Sequence, residues 1–368
     1  MDVRAIAALG CLGGLIAAGC ASFRHAESGG PKEELSFDPF LIIGDPELEK
    51  LNDEELFAAG SSAFAAQDYR QAERYFDRIT DFHPNSPHRR AALYNSGLAY
   101  EKQLKWEDAA ARFSPLADPA RGTGDSLDAA FRLAETQYHL ERYPAAIQIL
   151  TAIADRPELA LGQRIEALAQ KGICELEAGQ SESAEATLRR ALSLHQSEGE
   201  KGQSDEYFPA QAQFFLGEIY RLRYETVNLD PEKGIDALSQ DLEYKAELLL
   251  SAQGHYLRAI RIGNPHWSTA SGAQIGMLYE NLYTQMINSP APKELTGEEA
   301  DVYRQELRRK IRILVTKAIN IYERTLEAAE RMGTASVFVA RTKGSLQKLK
   351  EILVADAPHE DEEKAAGR

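Results

Sequence analysis

Apolar residues recur along most of the chain at intervals of three and four, the spacing that places them on one face of an α-helix. Short polar stretches interrupt this pattern, and one of them, HPNSPHRR, contains Pro84. Because proline cannot continue the interior of a helix, such stretches mark helix ends. The alternation predicts an all-α protein built from consecutive antiparallel helices.

Within this pattern, three segments align without gaps at a spacing of 37 residues. Each segment has a small residue, an aromatic residue, a second small residue and a large apolar residue at matching positions. The three sets are Gly60, Tyr69, Ala72 and Phe76; Gly97, Trp106, Ala109 and Phe113; and Ala134, Tyr143, Ala146 and Leu150. A fourth set follows 38 residues later with Gly172, Ser181, Ala184 and Leu188, and further starts occur at Gly217 and Gly276.

Small residues at these positions let two antiparallel helices approach closely. We expect the glycine of the first helix in each pair to face Ala72 or its equivalent on the second helix. The aromatic residue should open the second helix and fill the gap between neighbouring pairs. The predicted packing residues are Gly60, Tyr69, Ala72, Gly97, Trp106, Ala109, Tyr143, Ala146, Gly172 and Ala184.

The repeated positions resemble the tetratricopeptide repeat, a helix–turn–helix unit of about 34 residues. Three additional residues per unit lengthen the helices or the loops between them. The resemblance covers Asp53 to about Ala191 well and residues 211–276 loosely. It implies a right-handed α-solenoid whose concave face is lined by the first helix of each pair.

On this concave face, the repeat register predicts a groove that binds protein partners. The residues that would line it are Phe57, Phe64, Tyr94, Leu98, Phe131 and Tyr138. Phe57, Tyr94 and Phe131 share one register position, and a partner helix or peptide could use such an aromatic row. The alternative is that these rings pack against the N-terminal segment or neighbouring helices. Repeats that clamp an acidic chain end have Lys at this position, so that specificity is not implied.

The C-terminal part departs from the regular repeat. Long helices are expected over Leu238–Gly263 and about Glu298–Arg331, and a last helix from about Thr334 to Val354 should cap the array. One apolar stripe of the second long helix is predicted to be Leu307, Ile311, Leu314, Ala318 and Ile321. The predicted organisation is regular repeats over 52–200, divergent repeats with a long-helix cap over 201–355, and a disordered acidic tail over 356–368.

The N-terminus carries a different signal. Arg4 precedes the uncharged stretch Ala5–Ala18, which is too short to span a bilayer but fits a secretory signal peptide. Ala17, Ala18 and Gly19 then precede Cys20, and this resembles the bacterial lipobox. The resemblance implies cleavage after Gly19 and lipidation of Cys20; a plain signal peptide and a buried N-terminal helix are the alternatives. Ala21 and Ser22 follow, with no Asp directly after Cys20, which by the same resemblance favours the outer membrane.

Residues 1–19 are therefore predicted to be a lipoprotein signal peptide, and residues 20–51 a lipidated cysteine with a flexible tether. One apolar island, Phe37–Pro46, interrupts the tether. It could dock on the first helices of the folded body or bind a partner.

The charge balance and the cysteine and histidine positions exclude some kinds of function. The net charge is −15 and no basic cluster stands out beyond ELRRKIR, which argues against nucleic-acid binding. Of the three cysteines, Cys174 has no partner if Cys20 is lipidated, and it is expected to be buried. His83 and His88 flank Pro84 and are expected to face solvent.

The chain offers no motif that predicts chemistry. It has no HExxH or paired-cysteine spacing, so neither a metal nor a cofactor is predicted. The stretch GTGDS lacks the lysine of a phosphate-binding loop, and Asp125 or Ser126 in it should cap the next helix. We therefore expect a protein that is not an enzyme.

Longer stretches extend the resemblance. YNSGLAYEKQLKWEDAAARF, FFLGEIYRLRYE and KAINIYERTLEAAERMG resemble the tetratricopeptide outer-membrane lipoproteins of gliding-motility machineries. This implies a non-catalytic scaffold that faces the periplasm, is held by its lipid, and binds other envelope proteins through its concave face. The first two repeats also resemble the lipoprotein partner of the outer-membrane barrel-assembly machine, although the region after Leu238 would then be unexplained. A carrier of an apolar ligand is the third hypothesis.

Overall fold

The computed structural model describes residues 47–198, 206–292 and 294–355, and within these ranges it contains thirteen α-helices and no strand. The helices are α1 (Asp53–Ala65), α2 (Tyr69–Phe82), α3 (Arg89–Lys102), α4 (Trp106–Phe113), α5 (Asp125–His139), α6 (Tyr143–Ala154), α7 (Leu161–Glu177), α8 (Ser181–Glu198), α9 (Tyr207–Thr226), α10 (Ile235–Ile262), α11 (Pro265–Ile287), α12 (Glu298–Arg331) and α13 (Val337–Ala355). The predicted lipidation site Cys20, the tether segment Phe37–Pro46 and the tail 356–368 lie outside the described residues.

Polar side chains fix the first helix starts. The Asn52 side chain accepts a hydrogen bond from the backbone N–H of Glu55 at 2.9 Å, and the Glu55 carboxylate accepts one from the N–H of Asn52 at 2.9 Å. This reciprocal pair is a capping box. Asp68 caps α2 through the N–H of Gln71 at 3.1 Å. The prediction of a side-chain cap at α5 is wrong, because Asp125 begins the helix and Gly124 precedes it without a side-chain cap.

The turn inside each of the first four helix pairs has the same geometry. Gln67, Leu104, Glu141 and Gly179 occupy equivalent positions and all have positive φ, from 57° to 77°. In each turn, the N–H of the following residue reaches back to a carbonyl five residues earlier, for example Asp68 to Ala63 at 2.9 Å. This bond closes the helix C-terminus as a Schellman motif. Three of the four positions are not glycine, although left-handed backbone favours glycine.

The chain divides into two compact units, and the boundary lies between Ile153 and Ala154. In the first unit, α1 packs on α2, α2 on α3, α3 on α4 and α4 on α5. In the second, the pairs α7–α8, α9–α10 and α11–α12 form, and the first helices α7, α9, α11 and α13 pack on one another in sequence. The repeat pattern of the sequence predicts a boundary at residue 200, where regular repeats give way to divergent ones. That boundary describes the regularity of the repeats and remains a prediction.

The first helix of each pair carries a small residue where a large side chain of the second helix enters. A Cβ added to Gly60 would lie 2.7 Å from the Phe76 ring, and one added to Gly97 would lie 2.6 Å from the Phe113 ring. The entering side chain is thus Phe76 rather than the predicted Ala72. Alanines at the predicted second-helix positions are fully buried beside these contacts: Ala72, Ala109, Ala146 and Ala184.

The same arrangement continues in the second unit. The added Cβ would meet Leu188 at Gly172, Tyr256 at Gly217 and Tyr322 at Gly276, at 2.6, 2.5 and 2.0 Å. These glycines therefore mark three further helix pairs. Leu188 follows Gly172 by 16 residues, as Phe76 follows Gly60, whereas the two tyrosines lie on much longer second helices.

The last long helix occupies the predicted range, but its buried stripe is rotated. Ile311 and Ala318 are buried as predicted, whereas Leu307, Leu314 and Ile321 are only half-buried. The other buried positions of α12 between these and its C-terminus are Val315, Ile319, Tyr322, Thr325 and Ala329. The predicted stripe therefore mixed two buried residues with three half-buried residues from the neighbouring row of the helix.

Candidate functional site

The predicted interaction face is carried by α1, α3 and α5, the first helices of the three pairs in the first unit. Phe57, Tyr94 and Phe131 lie on these helices at 37-residue spacing, and all three are half-buried. Phe64, Leu98 and Tyr138 are half-buried on the same helices. All six predicted residues thus keep part of their surface accessible, and none belongs to the fully buried core.

The rings of Phe57 and Tyr94 also pack against other residues of the repeats. The Phe57 ring packs against Phe76 at a centroid distance of 5.7 Å and stacks on His88 at 4.8 Å. The Tyr94 ring meets Phe113 edge-on at 5.7 Å. One side of the Phe57 and Tyr94 rings is therefore occupied by the residue that fills the glycine space. His88 is half-buried by its contact with Phe57, so the expectation that it faces solvent is wrong.

A second aromatic contact lies about two turns further along α1 and α5. Phe64 meets Tyr69 at 5.3 Å, and Tyr138 meets Tyr143 at 5.8 Å. Tyr69 and Tyr143 thus contact the first helix of their own pair. Trp106 differs, because it stacks on His139 of the next pair at 3.9 Å with the rings 10° apart.

A charged cluster on this face was missed by the sequence analysis. Glu101 of α3 is 7% exposed, and its Oε2 lies 3.6 Å from Nη1 of Arg132 on α5. The same Nη1 lies 3.2 Å from Oε2 of Glu135. Glu101 occupies the repeat position that Phe64 and Tyr138 occupy in the neighbouring pairs. A carboxylate at a position that is otherwise aromatic is the sequence feature that could have indicated this cluster.

The cluster has a distinctive electrostatic state. Burial, and to a lesser extent the charge of Glu135, raise the pKa of Glu101 to about 8, while Arg132 opposes the rise. Burial alone would lower the pKa of Arg132, but the two carboxylates outweigh it and raise that pKa. Oε1 of Glu101 is buried and accepts no hydrogen bond from the described residues. This face thus combines aromatic surface with a carboxylate that is readily protonated.

The second unit contains a more deeply buried ionic group. Oε1 of Glu218 accepts hydrogen bonds from the Tyr256 hydroxyl and from Nε2 of Gln274, both at 2.5 Å. Its Oε2 accepts one from Nε of Arg221 at 2.9 Å. All four side chains are buried. Because the group is enclosed by α9, α10 and α11, its geometry serves helix packing rather than ligand binding.

Other reactive side chains are also enclosed. Cys174 is buried, and burial raises the pKa of its thiol to about 12, so it is protonated at neutral pH. Lys245 is buried and donates to the carbonyls of Tyr224 and Val227 at 2.9 and 2.6 Å. In the described ranges, no three His, Cys, Asp or Glu side chains come together as metal ligands. None of the described helices has the length and apolarity to cross a membrane.

Comparison with family models finds a match over part of the chain. A model of the tetratricopeptide repeat matches residues 57–120 and, in the next register, 94–160. Residues 57–160 form a tetratricopeptide-repeat array. The matched range contains all six predicted face residues and the Glu101 cluster. The fold is accordingly all-α, with tetratricopeptide helix pairs, and repeats of this family serve as protein-interaction scaffolds.

Solved structures provide two distant likenesses. A tetratricopeptide-repeat protein from Bacteroides fragilis is 13% identical over 82% of this chain and 99% of its own, with a TM-score of 0.32. One from Parabacteroides merdae is 15% identical over 81% of this chain and 98% of its own, with a TM-score of 0.36. Such low TM-scores do not relate the whole chain to either structure. No curated protein matches the chain significantly.

Proposed function

We propose that the protein is a non-catalytic scaffold lipoprotein, anchored in the outer membrane through Cys20, with its repeats in the periplasm. Its first-helix face binds other envelope proteins within an envelope-spanning complex, and the gliding-motility type is the one that the sequence resembles most. The observation that carries the binding role is the row of half-buried rings at Phe57, Tyr94 and Phe131. Three equivalent rings on successive first helices offer a partner one repeated contact.

The chemistry of the face supports a protein partner. Aromatic rings with one side fixed and the other accessible lose little conformational freedom on binding, and such anchors are common in protein interfaces. The neighbouring Glu101 and Arg132 add a buried, readily protonated carboxyl group and a half-buried guanidinium beside the rings. A partner that combines apolar side chains with hydrogen-bond donors would satisfy both features.

The location rests on the N-terminal sequence alone. Mass spectrometry of the mature protein should find a first residue of Cys20 that carries a diacylglycerol and an additional acyl chain. A variant in which a cleavable signal peptide without a cysteine replaces residues 1–20 should leave the membrane fraction and appear in the soluble fraction. A mature protein that begins at another residue, or an unmodified Cys20, would contradict the anchor.

The binding face can be tested in the cell without disturbing the repeats. A photo-activated crosslinking side chain at Leu98, on the predicted face, should capture an envelope protein. The same side chain at Ala111, an exposed position on the second helix α4, is the matched control and should not capture it. Equal products from both positions would contradict the face. Recovery of barrel-assembly proteins rather than motility proteins would favour the second hypothesis for the complex.

A further inference from the structure

A groove lies within the second unit, far along the chain from the aromatic face. Helix α11 forms its floor with Gly272 and Ile275, α10 forms one wall and α12 the other. The cavity in it measures about 240 Å³ and is open along one side. The walls are mainly apolar, with Leu257 and Ile260 on α10 and Ile321 and Ala328 on α12. Their polar members are Gln253, Arg324 and Thr325.

Helix α10 leaves three large apolar side chains exposed on the side that forms the groove wall. Leu250, Leu257 and Ile260 are 60%, 45% and 36% exposed. Their spacing of seven and three residues places them on one side of the helix. The buried residues Ala252, His255 and Ala259 lie on the side of α10 opposite Leu250 and Leu257, so these two leucines face away from that buried side.

The α12 wall carries two parallel rows. Leu314, Ile321 and Ala328 are half-buried and recur every seven residues. Beside them Lys310, Lys317 and Arg324 also recur every seven residues, and all three are exposed. Seven residues advance about 10.5 Å along a helix and return to nearly the same side. The side of α12 that lines the cavity with Ile321, Arg324 and Ala328 therefore continues toward the start of the helix as an apolar row and, beside it, a basic row, here called the basic rim.

The basic rim is unpaired in the part of the chain that the structure describes: none of its three residues forms an ion pair there. Other cations of α12 and α13 do form such pairs, namely Arg304 with Asp301, Arg309 with Glu306, and Lys350 with Glu323. Lys317 only lies over the Tyr279 ring, at 5.6 Å. Lys310 has Glu306 as an acidic neighbour, whose pKa it helps to lower. In a chain of net charge −15, Lys317 and Arg324 without ion pairs among the described residues leave a local positive edge beside the cavity.

We propose that this groove binds an acidic amphipathic helix of a partner protein. The apolar side of that helix lies on the floor and against both walls. Its carboxylates, spaced by seven residues, pair with the basic rim, as flanking charges do between the helices of a coiled coil. An extended peptide would match this spacing less well, because its side chains on one side recur every two residues.

The groove favours a helix over a lipid surface for a geometric reason. Its floor is recessed between two helices and includes Ser268, and Gln253 lies in the α10 wall; a flat acyl layer would not reach these polar groups. The basic residues stand in one row beside the apolar row. A helix of matching charge meets both rows at once.

The test uses the full chain with Cys20→Ser, so that no acyl chain on Cys20 can contribute. Two fluorescent helical peptides of about three heptads share one leucine face and differ only in their flanking residues, Glu in one and Lys in the other. Anisotropy titration should show that the acidic peptide binds more tightly by about tenfold or more, and that added salt reduces this preference.

Variants connect the binding to the groove. The double variant Lys317→Glu/Arg324→Glu should weaken the acidic peptide by about tenfold and reverse the preference toward the basic peptide. Leu257→Ser should weaken both peptides alike. Arg308→Glu is the matched control on α12, about 160° around the helix from Arg324, and should change neither affinity. Arg308 is exposed, so it tolerates the same charge reversal.

Several results would overturn the proposal. Equal affinity for the two peptides, absence of binding, or an effect of Arg308→Glu as large as that of the double variant would each do so. Vesicles of equal parts phosphatidylcholine and phosphatidylglycerol form a further arm. Vesicle binding that the double variant abolishes, without peptide binding, would assign the groove to a membrane surface instead.

Discussion

The two units use one packing rule with different side chains. In the first unit, Gly60 and Gly97 leave room for the rings of Phe76 and Phe113. In the second unit, the corresponding rings at Gly217 and Gly276 belong to Tyr256 and Tyr322. The Tyr256 hydroxyl donates to Glu218 at 2.5 Å, and the Tyr322 hydroxyl donates to Glu280 at 2.9 Å. The first pair of the second unit keeps an apolar wedge, Leu188 at Gly172, and the two later pairs use a tyrosine wedge with a fixed polar end.

Helix length accompanies this change. The six helices of the first unit have 8 to 15 residues, whereas those of the second have 17 to 34. A long second helix packs on its partner over only part of its circumference, and α10 and α12 consequently expose apolar rows. The comparison teaches that the elongated pairs fix their tyrosine wedges by hydrogen bonds and leave a groove between their second helices.

The largest loss of stability in the second unit is expected from replacing Glu218. Replacing it by alanine leaves Arg221 without a buried carboxylate and removes the acceptor for Tyr256 and Gln274. We expect Glu218→Ala to destabilise the second unit by about 3–5 kcal/mol. Denaturant unfolding monitored by Trp267, in a Trp106→Phe background, would measure this loss, because Trp267 is buried in that unit.

The control for this prediction is Glu225→Ala. Glu225 is exposed and lies 2.5 Å from Nη1 of Arg221 at the edge of the same group. Because exposed ion pairs contribute little, its removal should cost about 1 kcal/mol or less. Similar losses for the two variants would show that the buried group is not what stabilises the long helix pairs.

The glycine positions give a prediction of intermediate size. An alanine Cβ at Gly276 would press on Tyr322, whose hydroxyl is held by Glu280, so the ring cannot retreat without losing a hydrogen bond. At Gly97 the obstructing ring is Phe113, which has no such tether. We expect Gly276→Ala to cost about 2–3 kcal/mol and Gly97→Ala about 1 kcal/mol less.

Chemical denaturation of both variants measures the difference, and Gly344→Ala is the control. Gly344 lies inside α13 with nothing within 4 Å of an added Cβ. Removing its backbone freedom should therefore stabilise α13 by up to about 1 kcal/mol. A larger loss at Gly97 than at Gly276 would show that the polar end of the tyrosine does not hold the ring in place.

Much of the fold was predictable because the first four pairs repeat a local rule. Gly60 and Phe76 are 16 residues apart, and the same interval recurs at Gly97 and Gly172, so short helices and short turns fix the register. The interval fails at Gly217 and Gly276, because the entering tyrosines lie on long second helices. The left-handed backbone at Leu104 was not predictable either, since the side chain gives no sign of a positive φ.

The sequence predicted which helices carry the candidate site, but not which residues its side chains contact. The register placed Phe57 and Tyr94 on the first helices, yet their contacts with Phe76 and Phe113 depend on how the second helix fills the glycine space. The Glu101 cluster joins residues of two helix pairs, so no local pattern connects them. The error at α12 has a similar cause: the neighbours of a helix, rather than its own periodicity, decide which of two adjacent apolar rows is buried.

The smallest prediction concerns Glu101 and its dependence on pH. The pKa of Glu101, about 8 in the folded protein, exceeds the ordinary value of 4.5 because of burial first and Glu135 second. The folded state therefore binds this proton more tightly than the unfolded state, and the resulting stability, complete below pH 4.5, is lost as the pH rises to 8. Glu101→Gln keeps a neutral group at every pH, so it should match the parent at pH 4.5 and be more stable at pH 8.5.

We expect a gain of only about 1 kcal/mol at pH 8.5, or roughly 2–4 °C in Tm, because half-exposed Arg132 can reorient toward the charged carboxylate and offset part of the burial cost. Thermal unfolding of the first unit, followed by Trp106 in a Trp267→Phe background, measures it. Glu54→Gln, at an exposed position of α1, is the control and should give no pH-dependent difference. If Glu101→Gln were instead less stable than the parent at pH 8.5, the ion pair with Arg132 would outweigh burial, and the first unit would resemble the second in depending on a buried carboxylate.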